Sequence, residues 1–517
     1  MQSLPIGIQN FEAIRKEDFV YVDKTKHLLN LVKKTGNYFL SRPRRFGKSL
    51  TLSTLEAMFQ GKGELFKDLY AEEWVKEQSK HPNPVIKLDM GFSKSYCNSE
   101  QLNYYIISQI KNYLTINDLN MDLDENADIT LSNLIIKLYK QFGSVVVLID
   151  EYDKPITDNI NNLEKVEEIR EYLRSFYFVF KSCSQYLKFV FLTGVSKFSK
   201  IGVFSGLNNL QDISMTKKYS DIVGYTQKEL EDNFDEWIIN SKKELSIDKE
   251  ELLKKIKEYY DGFSFDGRTR VYNPFSILNF FNESEFKNFW YLSGSPSFLS
   301  NYLQNHKINE PKEYIEKEVY EDFTSSHEIE STSVESFLYQ AGYLTIKERI
   351  GNRLILDYPN EEVKSSMDRL FLANFYNIKD DARFSNDIWE FLEAENIPQI
   401  VNIFNEALKG VPYEDYKNRD ESWYRSLFLM LLSGAKITYF AEVHTFKCRS
   451  DVVISFKDKL IIVIEFKFAK NSRGVFYQRK KGKEQIKSRD YASVYKNTKK
   501  IITAVFIAND EKRQISL

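Results

Sequence analysis

Short, wholly apolar runs alternate with amphipathic stretches over about the first 240 residues of the chain. Tyr38–Leu40, Val85–Asp89, Val145–Asp150 and Lys188–Thr193 read as strands, their near-continuous apolar character being that of strands covered on both faces. Between them, Ser49–Phe59, Gln101–Leu114 and Val166–Cys183 repeat apolar residues at helical spacing. The polar stretch Ile116–Thr130 reads as a surface insertion or long loop. Strands alternating with helices predict a parallel sheet with helices on both faces, whose ligands bind at the carboxyl ends of the strands.

Downstream the pattern changes. From Gly224 to about Leu303 it is largely helical, interrupted by a turn at Asp261–Gly267 and by Tyr272-Asn-Pro274. Val334–Leu372 reads as a helix, two strands (Tyr343–Lys347 and Arg353–Asp357) and a further helix after Pro359. That order suits a small winged-helix unit, serving either to dock nucleic acid or a partner or as a structural lid. A helical stretch around Ile388–Leu408 leads to a final α/β segment. The expected division is 1–223, 224–333, 334–385 and 386–517, in an α/β multidomain protein.

Composition narrows the class. A length of 517 residues exceeds one core at ~100–200 residues per domain, and 42% apolar content excludes a disordered chain. A formal net charge of −2 carries no global nucleic-acid signal, so phosphate contacts must come from local patches. Cys97, Cys183 and Cys448 lie far apart, without the spacing of a zinc site. No apolar run approaches the ~18–20 residues of a membrane span, and the first residues lack the basic start and apolar core of a signal peptide. A cytoplasmic protein without membrane partners is expected.

Candidate chemistry appears first at Tyr38-Phe-Leu-Ser-Arg-Pro-Arg-Arg-Phe-Gly-Lys-Ser-Leu50, a strand running through a loop into a helix. In Gly47-Lys48-Ser49, the glycine lets backbone approach a phosphate at the helix N-terminus. Lys48 would meet the β- and γ-phosphates of ATP or another NTP, and Ser49 would ligate magnesium. Asp150, at the end of the strand Val145–Asp150, would hold that Mg2+, and Glu151 would orient or deprotonate the attacking water. Thr193 ends a neighbouring strand and could place a polar group beside the γ-phosphate. The standard phosphate loop wants glycine at position 42, where this chain has Arg42. Arg44 and Arg45 are either phosphate clamps or a solvated basic turn, the clamp being the preferred reading for Arg45.

A second constellation lies near the C-terminus. Asp451 enters the strand Val452–Phe456, and a short turn leads to Leu460–Phe468, where alternation puts Glu465 and Lys467 on one face. Carboxylates with hard oxygens suit Mg2+ or Mn2+, and Lys467 would position water or neutralise charge during phosphodiester cleavage. Nine basic residues and one acid, Glu484, lie between Lys467 and Arg489, with Phe476 and Tyr477 interleaved. That stripe, including Arg479, Lys480 and Lys481, is either a phosphate-backbone footprint or a solvated helix face.

Leu4-Pro-Ile-Gly-Ile-Gln-Asn-Phe, Tyr21-Val-Asp-Lys-Thr25, Pro43-Arg-Arg-Phe-Gly-Lys-Ser-Leu50, Leu148-Ile-Asp-Glu-Tyr-Asp-Lys-Pro155 and Leu192-Thr-Gly-Val-Ser-Lys-Phe198 resemble the prokaryotic AAA-ATPase-like family. In that family Pro-Arg-Arg-Phe-Gly-Lys-Ser replaces the usual loop, so Arg42 is less of an anomaly than against the standard pattern. The C-terminal Asp…Glu-x-Lys pattern is similar to the PD-(D/E)XK nuclease superfamily, in the branch fused to such a module. This resemblance implies Glu421 as a further metal ligand on a preceding helix, and Gln485 and Tyr491 as residues lining the site. It also implies DNA rather than RNA as substrate, and rings or dimers in which one subunit's arginine completes its neighbour's site. The expected function is an ATP-binding, Mg2+-dependent nuclease in which the ATPase module gates or feeds the cleavage site. The alternatives are a nucleotide-controlled switch that binds nucleic acid or a partner without cutting, and an ATPase that remodels proteins.

Overall fold

A computed structural model describes residues 2–91, 98–159, 162–197, 209–293, 296–306, 308, 311–324, 333–374, 381–411, 419–444, 449–457, 459–489 and 500–517. The chain forms two compact units, Met1–Ser293 with Tyr314–Glu361 and Gly294–Glu313 with Glu362–Leu517.

The first unit is built on β1 (Gly36–Ser41), β2 (Val85–Asp89), β3 (Val145–Asp150), β4 (Leu187–Gly194) and β5 (Leu210–Asp212), in the order β2-β3-β4-β1-β5. Every named pairing is parallel. β3 is buried along its whole length, as its unbroken Val-Val-Val-Leu-Ile run requires. Helices Lys48–Phe59, Ser99–Ile116, Ala127–Phe142 and Leu163–Ser182 connect the strands. The polar stretch expected as a loop is a loop only over residues 117–126; Ala127 already starts a helix that buries Leu131, Leu134, Ile135 and Leu138. Edge strand β2 is blunted locally by Gln109, whose side chain accepts from Asp89 N–H (2.8 Å) and donates to Asp89 C=O (3.0 Å).

The strand order positions the candidate chemistry. β1 feeds the loop 42–47, β3 delivers Asp150-Glu151, and β4 lies between them. Leu40 pairs with Thr193 and Ile149 with Leu192, so the loop, Thr193 and Asp150 emerge at one sheet edge, at steps of about 4.8 Å. Among the described residues five helices between Gln227 and Leu292 follow, and a sixth, Pro296–Asn305, groups with the second unit. One of them, Pro274–Glu283, begins with Pro274 at its first turn and Asn273 accepting from Ser276 N–H, which accounts for the Asn-Pro break. Helix Val334–Ala341 precedes β7 (Thr345–Ile350) and β8 (Arg353–Asp357), which pair with β6 (Lys317–Tyr320) in the order β6-β8-β7. The sequence pattern did not reveal β6, whose four residues are mostly exposed. The following helix, Glu361–Asn374, groups with the second unit from Glu362 onward.

The second unit has a sheet of β9 (Tyr439–His444), β10 (Arg449–Phe456), β11 (Leu460–Ala469), β12 (Lys500–Asn509) and β13 (Gln514–Ser516), in the order β13-β12-β11-β10-β9. β10 runs antiparallel and β12 parallel to the central β11. On one face Phe466 and Phe506 pack against Phe428 of helix Glu421–Gly434. On the other, Val475 and Ile486 of helix Ser472–Arg489 cover Val453, Val463, Val505 and Ile507. Close approach there depends on Gly482, where a Cβ would lie 2.5 Å from Val505 Cγ1 and 3.4 Å from Lys467 Cγ. Gly482→Val is therefore expected to destabilise by about 2 kcal/mol in chemical denaturation, overpacking outweighing the gain in helix propensity.

Candidate functional site

At the edge of the first sheet, Gly47 adopts a left-handed φ of 92° and caps helix Lys48–Phe59. The buried Lys48 ammonium donates to the carbonyls of Arg42 and Pro43, both at 2.9 Å. Burial pushes its pKa down, against the fields of Asp150, Glu151 and Asp153. A desolvated ammonium held in the hollow of its own loop can exchange weak carbonyl partners for phosphate oxygens. Ser49, half-buried, follows it in the first turn.

Asp150 is buried and accepts from the Thr193 hydroxyl at 2.6 Å and from Glu151 N–H at 3.0 Å. Thr193 thus orients the carboxylate. Glu151 has a left-handed φ of 50°, and burial followed by the Asp150 charge raises its pKa. Its side chain occupies space that Gly91 leaves open, since a Cβ there would lie 2.2 Å from Glu151 Oε2 and 2.9 Å from Asp89 Oδ1. Asp89 joins this acidic group at the end of β2, and burial raises its pKa. Sequence reasoning did not single it out, although it ends β2 as Asp150 ends β3. Asp153 accepts from Val195 N–H, Ser196 N–H and Ser196 Oγ, tying down the segment after β4.

The arginines of the loop divide. Arg42 is 1% exposed and donates to the carbonyls of Ser41, Ser214 and Tyr219 at 2.7–3.0 Å. Its guanidinium lies 3.9 Å from the Phe265 ring centroid, and burial draws its pKa down to about 10. It bolts the loop to the segment after β5 in place of the usual glycine. Arg42→Ala, which leaves buried carbonyls without donors, should lose about 3 kcal/mol in urea denaturation. Arg45 is exposed, with φ 65°, and lies over Phe275 at 5.1 Å. Around the loop, Phe46 meets Phe263 and Phe265, and Trp290 Nε1 donates to Arg44 C=O at 3.0 Å.

In the second unit, Asp451 lies one step beyond the pair Val452↔Ile464, opposite Glu465 and on the same face as Glu465 and Lys467. Its Oδ2 accepts from Phe466 N–H at 2.8 Å and its Oδ1 from Arg425 at 3.3 Å. Glu465 is 1% exposed and receives the Lys467 ammonium at 2.7 Å; Lys467 also donates to Phe466 C=O at 2.7 Å. Glu421 opens its helix behind the cap Asp420. Burial raises its pKa, Lys467 lowers it, and Asp451 and Glu465 raise it further. The four predicted core residues are therefore electrostatic neighbours. Arg425, one helical turn after Glu421, is a fifth that sequence reasoning passed over, although its four-residue spacing from Glu421 was visible.

The donor set, three carboxylates of which one is almost wholly buried, fits a hard dication. Among the described residues no three His, Cys, Asp or Glu side chains yet converge as a ready ligand cluster. Cations stand on two of the carboxylates instead, Lys467 on Glu465 and Arg425 on Asp451. Because the folded-state pKa of Glu421 is raised above its ordinary 4.5, the proton it binds stabilises the fold fully below the unfolded value. That stabilisation is lost as pH rises through the folded pKa. Glu421→Gln should therefore raise Tm at pH 7–8 relative to the parent and shrink the difference toward pH 4, in metal-free thermal melts.

Gln485 is half-buried on the basic helix, one turn beyond Gly482, and Arg479 lies one turn before it. Lys480 and Lys481 are exposed, as are Phe476 and Tyr477 at 77% and 66%. Tyr491 lies outside the described residues. No helix among the described residues is long and apolar enough to cross a membrane.

Comparison with known proteins follows the same division. Residues 5–204 match the family described as "Predicted AAA-ATPase", and residues 419–516 match the PD-(D/E)XK nuclease superfamily. An "Uncharacterized protein in vnfD 5'region" from Azotobacter chroococcum mcd 1 is 34% identical over 510 residues, spanning 96% of this chain and 94% of that protein. Among solved structures, the ORC2 protein of Aeropyrum pernix and Cdc6p of Pyrobaculum aerophilum each align at 12% identity, with TM-scores of 0.28 and 0.26. Each alignment covers 68% of this chain and 92% of the other. With a relative matched almost end to end and both domain types in the expected order, the chain belongs to the AAA-ATPase-like family that carries a C-terminal PD-(D/E)XK nuclease domain.

Proposed function

We propose that this protein is an ATP-binding, Mg2+-dependent nuclease acting on DNA, in which nucleotide bound to the first unit controls cleavage by the second. The observation that carries the reading is the clustering of Glu421 with Asp451, Glu465 and Lys467 of the inner strands β10 and β11, beside a helix of basic residues. In the first unit, Lys48 binds the β- and γ-phosphates and Gly47 admits them to the helix N-terminus. Ser49 and Asp150 are the magnesium ligands there. Thr193 holds Asp150 in orientation, Glu151 positions water for attack, and Arg45 is free of the Arg42 clamp to approach phosphate.

In the second unit, Glu421, Asp451 and Glu465 supply oxygen ligands for magnesium or manganese, which when bound activates water and stabilises charge on the scissile phosphate. Lys467, already directed along this face, orients the nucleophile or neutralises the developing negative charge. Arg479, Lys480 and Lys481, with Gln485, form the surface that receives the backbone. Assembly into a homo-oligomer, with an arginine from a second copy at the ATP site, belongs to the same proposal.

The test uses supercoiled plasmid with Mg2+, with and without ATP. Cleavage that requires metal, disappears in Lys467→Ala and changes in its ATP response in Lys48→Ala supports the reading. Metal-independent retention of uncut DNA by the parent and both variants would instead identify a nucleotide-controlled binding switch. ATP turnover indifferent to any nucleic acid, with neither cutting nor retention, would point to protein remodelling.

A further inference from the structure

The carboxylates of the second unit are not alone. Three of them, Glu421, Asp451 and Glu465, share their surroundings with two cations, Lys467 and Arg425. Lys467 is 9% exposed and divided between Glu465 Oε1 and Phe466 C=O, both at 2.7 Å, so strand β11 itself fixes it. Arg425 is 17% exposed and meets Asp451 Oδ1 at 3.3 Å, longer than the ~2.7–2.9 Å of a tight charge-assisted bond. The other oxygen of Asp451 is anchored by Phe466 N–H at 2.8 Å, so the carboxylate stays in place if the guanidinium leaves.

A planar guanidinium matches phosphate oxygens as well as carboxylate oxygens. Being four residues along the helix from Glu421, Arg425 faces the same site whichever partner it takes. We propose that Arg425 is a phosphate-binding residue of this site and, until nucleic acid arrives, a competitor for the Asp451 carboxylate. It guards Asp451 in the absence of substrate and moves to the phosphodiester when nucleic acid binds, releasing Asp451 Oδ1 to act as a ligand. Full assembly of the ligand set is thereby coupled to substrate. This proposal rests on the nuclease reading above and adds to it a device that keeps the site incomplete without DNA. No covalent bond is made or broken in the exchange.

The coupling has a signature that a purely structural arginine would not give, because binding and cleavage move in opposite directions. In the nucleotide-free, full-length protein without nucleic acid, Arg425→Gln should bind Mn2+ about 3- to 10-fold more tightly than the parent, read by electron paramagnetic resonance. The same variant should nick plasmid about 100-fold more slowly. Arg425→Lys, which keeps the charge and supports the fold, should hold Mn2+ affinity near the parent's and recover part of the cleavage. Asp451→Asn is the reference for the site and should lose Mn2+ binding. Unchanged or weaker Mn2+ binding in Arg425→Gln, with Asp451→Asn still sensitive, overturns the role of Arg425 alone. Mn2+ binding indifferent to Asp451→Asn overturns the nuclease reading and this proposal with it.

Discussion

Lys467→Ala is expected to abolish DNA cleavage and, separately, to destabilise the second unit by about 3–5 kcal/mol. The second effect follows from burial. Glu465 is 1% exposed, and its Oε1 takes the Lys467 ammonium at 2.7 Å, so removing the lysine leaves a carboxylate in the sheet interior without that counter-charge. The loss of activity follows from the alignment of Lys467 with Glu465 and Asp451 on one face of β10 and β11. The two effects can be separated. A Glu465→Gln/Lys467→Met double variant keeps the volume and removes both charges, so it should regain most of the lost stability in urea denaturation and none of the cleavage. A double variant as unstable as Lys467→Ala would show that the pair is not the source of the stability.

Lys48→Ala should reduce ATP turnover by at least about 100-fold while costing the nucleotide-free protein no more than about 1–2 kcal/mol, the loss of two carbonyl partners being offset in part by removal of a desolvated charge. The asymmetry comes from what Lys48 touches. Its partners in the fold are the Arg42 and Pro43 carbonyls of its own loop, and burial already disfavours its charged form. The fold therefore gains little from the ammonium, whereas a triphosphate in the loop would gain a desolvated, correctly placed cation. The check is to compare thermal melts with and without ATP and Mg2+. The parent should be stabilised by nucleotide and the variant should not. Equal stabilisation of both would remove Lys48 from the phosphate site.

Much of the fold was legible because burial on both faces writes itself directly into composition. β2 and β3 have the limits read from their apolar runs, and β1 and β4 differ by one or two residues at their ends. The Gly-Lys-Ser turn was legible from its place between an apolar strand and a helical pattern, and the left-handed φ of Gly47 is what the fold adds. Elements that bury little escaped. β5 spans three residues and is half-covered, and β6 is mostly exposed, so neither leaves an apolar signature. Arg42 shows a different limit. In the sequence it is only a departure from the usual glycine, and the carbonyls of Ser214 and Tyr219, more than 170 residues away, make it a buried brace.

For the strands read from their apolar runs, the amino-acid sequence by itself determined which residues lie together, which face each side chain takes, and which chemical groups stand at the strand ends, because those depend on local periodicity. It placed Glu465 beside Lys467 and Asp150 beside Glu151 without reference to the rest of the chain. Tertiary structure alone decided the partners: Thr193 on Asp150, Asp89 and Gly91 around Glu151, and Arg425 on Asp451. Those contacts join residues brought together by strand order and helix packing, and long-range pairing of that kind leaves no periodic trace in a single chain.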